Sequence, residues 1–122
     1  MRTPYRAPCG QRSEALSKRG WIYYIKNDFP SFLRDMEMAL QNSSPPNCAA
    51  YNLGLALLAN GRDADALDAY ACAAKQHSHL VETDGLTDLK DAVAKWLNSE
   101  RAKPCIELLE SFKNHSSFAP VA

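Results

Sequence analysis

The sequence lacks any run of apolar residues long enough to span a membrane, which takes about twenty residues in a helix. Its most apolar stretch, Leu53 to Ala59, is bounded by Asn52 and Asn60. The first 12 residues contain prolines and arginines, with neither the apolar segment nor the cleavage site of a secretory signal. We therefore expect a cytoplasmic protein that does not associate with membranes.

Glycine and cysteine are few and widely spaced. No two of the five glycines lie within six residues of each other, which excludes a glycine-rich phosphate-binding loop. The four cysteines, Cys9, Cys48, Cys72 and Cys105, form no C-x-x-C pair. Because a domain of this size folds without disulfide bonds, we interpret them as reduced thiols rather than as a disulfide framework.

Histidines are equally few, and none stands in a catalytic pattern. His77, His79 and His115 lie near the ends of predicted segments, without the order of a Ser-His-Asp triad or a Cys-His pair. His77 and His79 could offer two metal ligands beside Glu82, but a zinc site needs a third or fourth ligand at defined spacing. We interpret this segment as a solvated turn, and we expect no enzymatic activity, metal or cofactor.

The chain carries no net charge, because 14 basic residues balance 14 acidic ones. The distribution is uneven, with a net charge of +5 in residues 1–27 and of −5 in residues 28–122. The basic residues are scattered rather than clustered, which does not favour nucleic-acid binding. With 46% hydrophobic and 23% charged residues, the 122-residue chain has the composition of one small globular domain.

The chain matches itself when it is shifted by 34 residues, so that 13–46 lies over 47–80. A period of this length is typical of solenoids built from helical hairpins. Asn27 falls on Gly61, and both residues tolerate the left-handed backbone conformation that ends a helix. Most of the identical pairs are small residues, as expected where two helices approach closely: Ala15 with Ala49, Gly20 with Gly54, Ala39 with Ala73, and also Leu33 with Leu67.

Apolar residues recur at helical spacing along most of the chain. We predict an all-α fold of about six helices, arranged as antiparallel helical hairpins. A flexible basic segment covers 1–12, the two hairpins cover 13–46 and 47–80, and capping helices with a short tail complete the same domain over 81–122. The predicted helices are 13–26, one from near Pro30, one from near Asn47, 64–76, 84–97, and one following Pro104.

The second hairpin carries aromatic, small and aliphatic residues in a fixed order. They are Tyr51-Asn52-Leu53-Gly54, Gly61, Ala66-Leu67, Tyr70 and Ala73. In order and spacing they closely resemble the tetratricopeptide repeat (TPR) family. The first hairpin resembles it less closely, through Leu16, Gly20, Tyr23-Tyr24, Leu33, Met36 and Ala39. Arg19 and Phe32 stand where that repeat usually has leucine and alanine, so looser or rearranged packing is expected there.

The resemblance implies a right-handed superhelical scaffold that binds a peptide or helix of a protein partner and has no chemistry of its own. In this family the first helix of each hairpin lines a concave groove, which would be mostly apolar here. Only Asn52 fits the clamp with which one subgroup binds acidic chaperone tails, so no such clamp is expected. The implied groove residues are Ser17, Trp21, Tyr24, Ile25, Cys48, Tyr51, Asn52, Leu55 and Leu58.

Other uses of the same residues remain open at this point. The chain's own C-terminal helices could fill the groove, with Trp96, Ile106 and Phe112 packing on Trp21, Tyr51 and Leu55, because a large exposed apolar patch is unusual on a soluble monomer. Self-association could cover it as well. The alternative functions are therefore a structural subunit of a homo-oligomer or fixed complex, and an accessory chaperone for a protein client.

Overall fold

The computed structural model describes residues 9–41 and 47–118 of the chain. Within these ranges the protein has six α-helices and no strand, which confirms the all-α prediction. No helix within them has both the length and the apolar composition needed to cross a bilayer. The helices are α1 (Cys9–Ile25), α2 (Phe29–Leu40), α3 (Asn47–Ala59), α4 (Asp63–Gln76), α5 (Thr87–Lys95) and α6 (Ser99–Phe118).

The first four helices form two antiparallel hairpins whose turns have the same backbone structure. Asn27 and Gly61 adopt positive φ angles of 65° and 79°, as the sequence predicted. In the first turn the amide of Asp28 donates to the carbonyl of Tyr23 over 2.8 Å, and the amide of Arg62 donates to Leu57 over 2.9 Å in the second. Since each of these residues lies 34 positions from its counterpart, the sequence period is also a structural period.

The helix starts follow local capping chemistry. The Asp28 carboxylate accepts a hydrogen bond from the amide of Ser31, and Pro30 lies in the first turn of α2, where its missing N–H costs nothing. Helix α1 begins at Cys9, four residues before the predicted start at Ser13. Residues 1–8, the rest of the segment expected to be flexible, lie outside the described residues.

Each hairpin closes on a buried glycine. A Cβ atom on Gly54 would lie 2.7 to 2.8 Å from three ring atoms of Tyr70 on the facing helix. Its counterpart Gly20 faces the terminal methyl of Met36, 2.5 Å from the same imagined atom. The absence of a side chain at these two positions allows α1 to approach α2, and α3 to approach α4.

The 34-residue pattern ends after the second hairpin. A 3₁₀ turn (Ser78–Leu80) and a π-helical turn (Val81–Leu86) precede α5, so the predicted helix 84–97 is an α-helix only over Thr87–Lys95. The π-helical turn packs tightly, because a Cβ atom on Gly85 would lie 3.1 Å from both Tyr51 and Leu109. This turn and α6 thereby join α3 in one core.

Helix α6 starts at Ser99, so the prediction that it follows Pro104 is wrong. The Asn98 side chain caps the helix by accepting hydrogen bonds from the amides of Glu100 and Arg101 at 2.8 and 3.2 Å. Pro104 lies inside the helix, five residues beyond its first residue. Proline disfavours a helix interior but does not forbid it, and here the cap and the contacts of the first turn outweigh its cost.

Arg101 fixes the start of α6 to the second hairpin. Its guanidinium donates to both carboxylate oxygens of Asp63 at the start of α4 and to the carbonyl of Leu58 near the end of α3. The same hydrogen bonding lowers the pKa of Asp63 below its usual value. Farther along, Lys113 of α6 pairs with Glu82, just beyond α4, so α6 runs parallel to α4 and covers it.

Candidate functional site

The four predicted groove residues of α1 differ in exposure. Ser17 and Tyr24 are buried, with 6% and 9% of their surface accessible. Trp21 is partly buried, and its ring lies 4.8 Å from that of Tyr24 and 6.1 Å from that of Phe32. Ile25 is 65% exposed. The part of the groove on α1 therefore retains an accessible apolar surface at Trp21 and Ile25.

The predicted groove residues of α3 are buried by the chain itself. Tyr51, Leu55 and Leu58 are at most 1% exposed, and Asn52 is 8% exposed. The hydroxyl of Tyr51 donates to the carbonyl of His77 over 2.7 Å, and burial raises the pKa of Tyr51 to about 12. These residues are core in the isolated chain. The side chain of Cys48, also predicted for the groove, lies outside the described residues.

Trp96, at the end of α5, closes one end of the concave side. Its indole N–H donates to the hydroxyl of Tyr24 over 2.8 Å, and its ring lies 5.0 Å from Phe29. The sequence predicted that Trp96 would pack on Trp21, whereas its ring contacts are with Tyr24 and Phe29. Ile106 and Phe112, the other two residues considered as groove fillers, are partly buried against the same core.

A row of carboxylates lies opposite α1, and sequence reasoning missed it. Asp84, Asp88 and Asp91 follow one another at helical spacing along the π-helical turn and α5. Asp91 pairs with Lys95 at 3.1 Å, whereas Asp84 and Asp88 make no ion pair with any described residue. Their spacing could have indicated a shared face, but nothing in the sequence shows that this face lies beside the tyrosines of α1 and α3.

Electrostatic effects place this acidic row on the concave side. Burial raises the pKa of Tyr24, and the nearby charges of Asp91 and Asp88 raise it further. The charge of Asp84 acts in the same direction on Tyr51. Burial, together with the charges of Asp84 and Asp91, raises the pKa of Asp88 itself to about 6. The candidate site thus combines an aromatic surface on α1 with an acidic one on α5.

Two buried polar side chains of the groove lack hydrogen-bond partners. Neither the hydroxyl of Ser17 nor the amide of Asn52 makes a side-chain hydrogen bond to any described residue, although both residues are more than nine-tenths buried. Most buried polar side chains in proteins are paired, and an unpaired one carries a free-energy cost. These groups could therefore hydrogen-bond a peptide that enters the groove.

The other candidate chemistry forms no site among the described residues. The rings of His77 and His79 lie 6.3 Å apart, and no group of three metal-binding side chains occurs in the described part of the chain. Cys72 is an exposed free thiol and Cys105 a buried one, whose pKa is raised by burial to about 11. A thiol held in its protonated form is a poor nucleophile.

The raised pKa of Asp88 predicts a measurable pH effect. The folded state holds this proton up to about pH 6, whereas the unfolded chain releases it near pH 4, so Asp88 reduces stability as pH rises between these values. We expect Asp88→Asn to raise the free energy of unfolding by about 1 kcal/mol at pH 7.5, allowing for solvent screening of a partly exposed group. Thermal unfolding at pH 3.5 should show almost no difference between variant and wild type, and an equal gain at both pH values would contradict this assignment.

Comparison of the chain with protein families, with curated proteins and with solved structures found no match.

Proposed function

We propose that the protein is a non-enzymatic interaction module of the TPR type, which binds a peptide or helix of a protein partner on its concave side. The support for this proposal is the pair of hairpins with equivalent turns at an offset of 34 residues, together with buried glycines at equivalent positions. A solenoid of this kind creates an extended concave surface, and its usual role is binding. The cytoplasm remains its predicted location.

The observation that carries the proposal is the residual groove between α1 and α5. Its α1 side offers Trp21 and the 65% exposed Ile25, and its α5 side offers Asp84, Asp88 and Asp91. Aromatic anchors in concave sites contribute strongly to binding, and complementary charges set specificity. We therefore expect a partner segment that combines apolar with basic side chains.

A peptide selection tests this function. A library of short peptides would be selected against the full chain at neutral pH, and the best binder would be measured by isothermal titration. We expect selected peptides rich in leucine or phenylalanine and in lysine or arginine. Ile25→Glu should weaken their binding by at least about tenfold, because it places a charge where an apolar side chain would bind. Met38→Glu on α2, also an exposed apolar position, serves as the matched control.

The alternatives give different results. Equal binding by wild type and the Ile25→Glu variant, with both folded by circular dichroism, would contradict the groove. A wild-type oligomer that Ile25→Glu converts to monomers would instead indicate a structural subunit whose groove is covered by another copy. Suppression of aggregation of unrelated unfolded proteins, without selection of any particular peptide, would favour the accessory chaperone.

A further inference from the structure

One stripe of α1 is exposed although its counterpart on α3 is buried. The stripe consists of Ala15, Lys18, Ile22 and Lys26, which follow one another at helical spacing. Shifted by 34 residues, these positions become Ala49, Asn52, Ala56 and Asn60 of the second hairpin. We call the four residues on α1 the outer stripe. The comparison rests on the equivalent turns of the two hairpins and does not depend on the groove.

On the second hairpin this stripe packs against the first hairpin. Ala49 and Ala56 are completely buried, and Asn52 is 8% exposed. Asn60 donates a side-chain hydrogen bond over 3.0 Å to the carbonyl of Phe29, at the start of α2. The helix that packs there is thus the second helix of a preceding hairpin. An equivalent stripe is suited to the same kind of neighbour.

On α1 the outer stripe is accessible. Ile22 is 52% exposed, which is a large fraction for an isoleucine, and Ala15, Lys18 and Lys26 are exposed as well. Solenoids end in elements whose outer face is polar. The isoleucine at the centre of this face is therefore unusual for an end that only contacts water.

The charges beside Ile22 indicate the chemistry of its partner. Lys18 and Lys26 lie one helical turn before and after it, and neither forms an ion pair with any described residue. We propose that the outer stripe docks a helix of another protein, with apolar side chains against Ile22 and carboxylates facing Lys18 and Lys26. Complementary charges of this kind would set the orientation of the helix.

A second copy of the chain fits this stripe poorly. Two copies related by a two-fold axis would bring the lysines of one stripe close to those of the other, which is repulsive. In a head-to-tail arrangement the partner helix would be α4, the counterpart of α2, but α6 covers it through the contact of Arg101 with Asp63. A helix from a different protein has neither difficulty.

Two designed peptides test the proposal. Each is an amphipathic helix with a leucine stripe, flanked by glutamate in one peptide and by lysine in the other. Binding of the fluorescently labelled peptides to the full chain would be measured by anisotropy at low salt. We expect the glutamate peptide to bind at least about tenfold more tightly than the lysine peptide, because only the former complements Lys18 and Lys26.

Variants of the chain separate this surface from the groove. Ile22→Glu, and likewise the pair Lys18→Glu and Lys26→Glu, should each weaken the glutamate peptide by at least about tenfold. Lys103→Glu, an exposed charge reversal on α6, should leave its affinity unchanged, and so should the groove variant Ile25→Glu. No binding of the glutamate peptide, equal binding of both peptides, or insensitivity to Ile22→Glu would overturn the proposal. A wild-type dimer that Ile22→Glu dissociates would also overturn it, in favour of a second copy.

Discussion

Replacing Gly54 with leucine is expected to lower the free energy of unfolding by about 4 kcal/mol, which is a large part of the stability of a small domain. Even a Cβ atom at this position would lie 2.7 to 2.8 Å from three ring atoms of Tyr70. Tyr70 is 1% exposed and belongs to the main core, so its ring cannot move aside without displacing other core residues. The α3–α4 hairpin would have to open to accommodate the new side chain.

Smaller substitutions at the equivalent glycines refine this expectation. Gly54→Ala should cost about 2 kcal/mol, because its methyl group overlaps a rigid ring. Gly20→Ala should cost less, since its nearest neighbour is the terminal methyl of the flexible Met36 side chain. Urea unfolding followed by circular dichroism would measure both. Ala94→Leu, at an exposed position of α5, is the control for added size, and a Gly54→Leu variant as stable as this control would contradict the helix packing described.

Replacing Arg19 with leucine is expected to destabilise the protein by about 3 kcal/mol. The Arg19 guanidinium donates to both carboxylate oxygens of Asp35 over 2.8 Å, and Asp35 is completely buried. This contact also raises the pKa of Arg19. Without Arg19 the buried carboxylate would keep only Arg34, at 3.6 Å. The cost is at the lower end for a broken buried pair because half of the Arg19 side chain is exposed.

The second hairpin suggests how to recover that stability. It has Leu53 and Ala69 at the positions that correspond to Arg19 and Asp35. The double variant Arg19→Leu and Asp35→Ala should therefore return to within about 1 kcal/mol of wild type, because no charge is left buried. Chemical unfolding of the two single variants and the double variant would complete the cycle. A double variant that is as unstable as the sum of the single variants would show that the pair is not coupled.

The hairpins were predictable because their signals are local. A left-handed turn needs a residue that tolerates positive φ, and Asn27 and Gly61 provide it at matching positions. The contact between Arg19 and Asp35 was not predictable in the same way. The sequence indicated only that Arg19 departs from the usual pattern, and the ion pair that replaces the apolar contact depends on two residues 16 positions apart.

The closure of half of the groove could not be inferred from the sequence, since it depends on contacts between distant parts of the chain. The sequence after Leu80 follows no repeat, so the positions of Gly85 against Tyr51 and of Trp96 against Tyr24 have no local signal. Pro104 suggested a helix start, whereas the cap at Asn98 determines the actual one. The acidic row of α5 was visible as a spacing, but its position opposite α1 follows only from these long-range contacts.

The most direct test of the proposed function is a chemical-shift map of the isotopically labelled protein during titration with a peptide selected for binding. We predict that the largest shifts occur at Trp21 and Ile25 of α1 and at Asp84, Asp88 and Asp91. Smaller shifts are expected at Met38 and on the exposed face of α6. Shifts confined to α2, α4 or α6, with none at Trp21 and Ile25, would contradict the account of a partner-binding groove between α1 and α5.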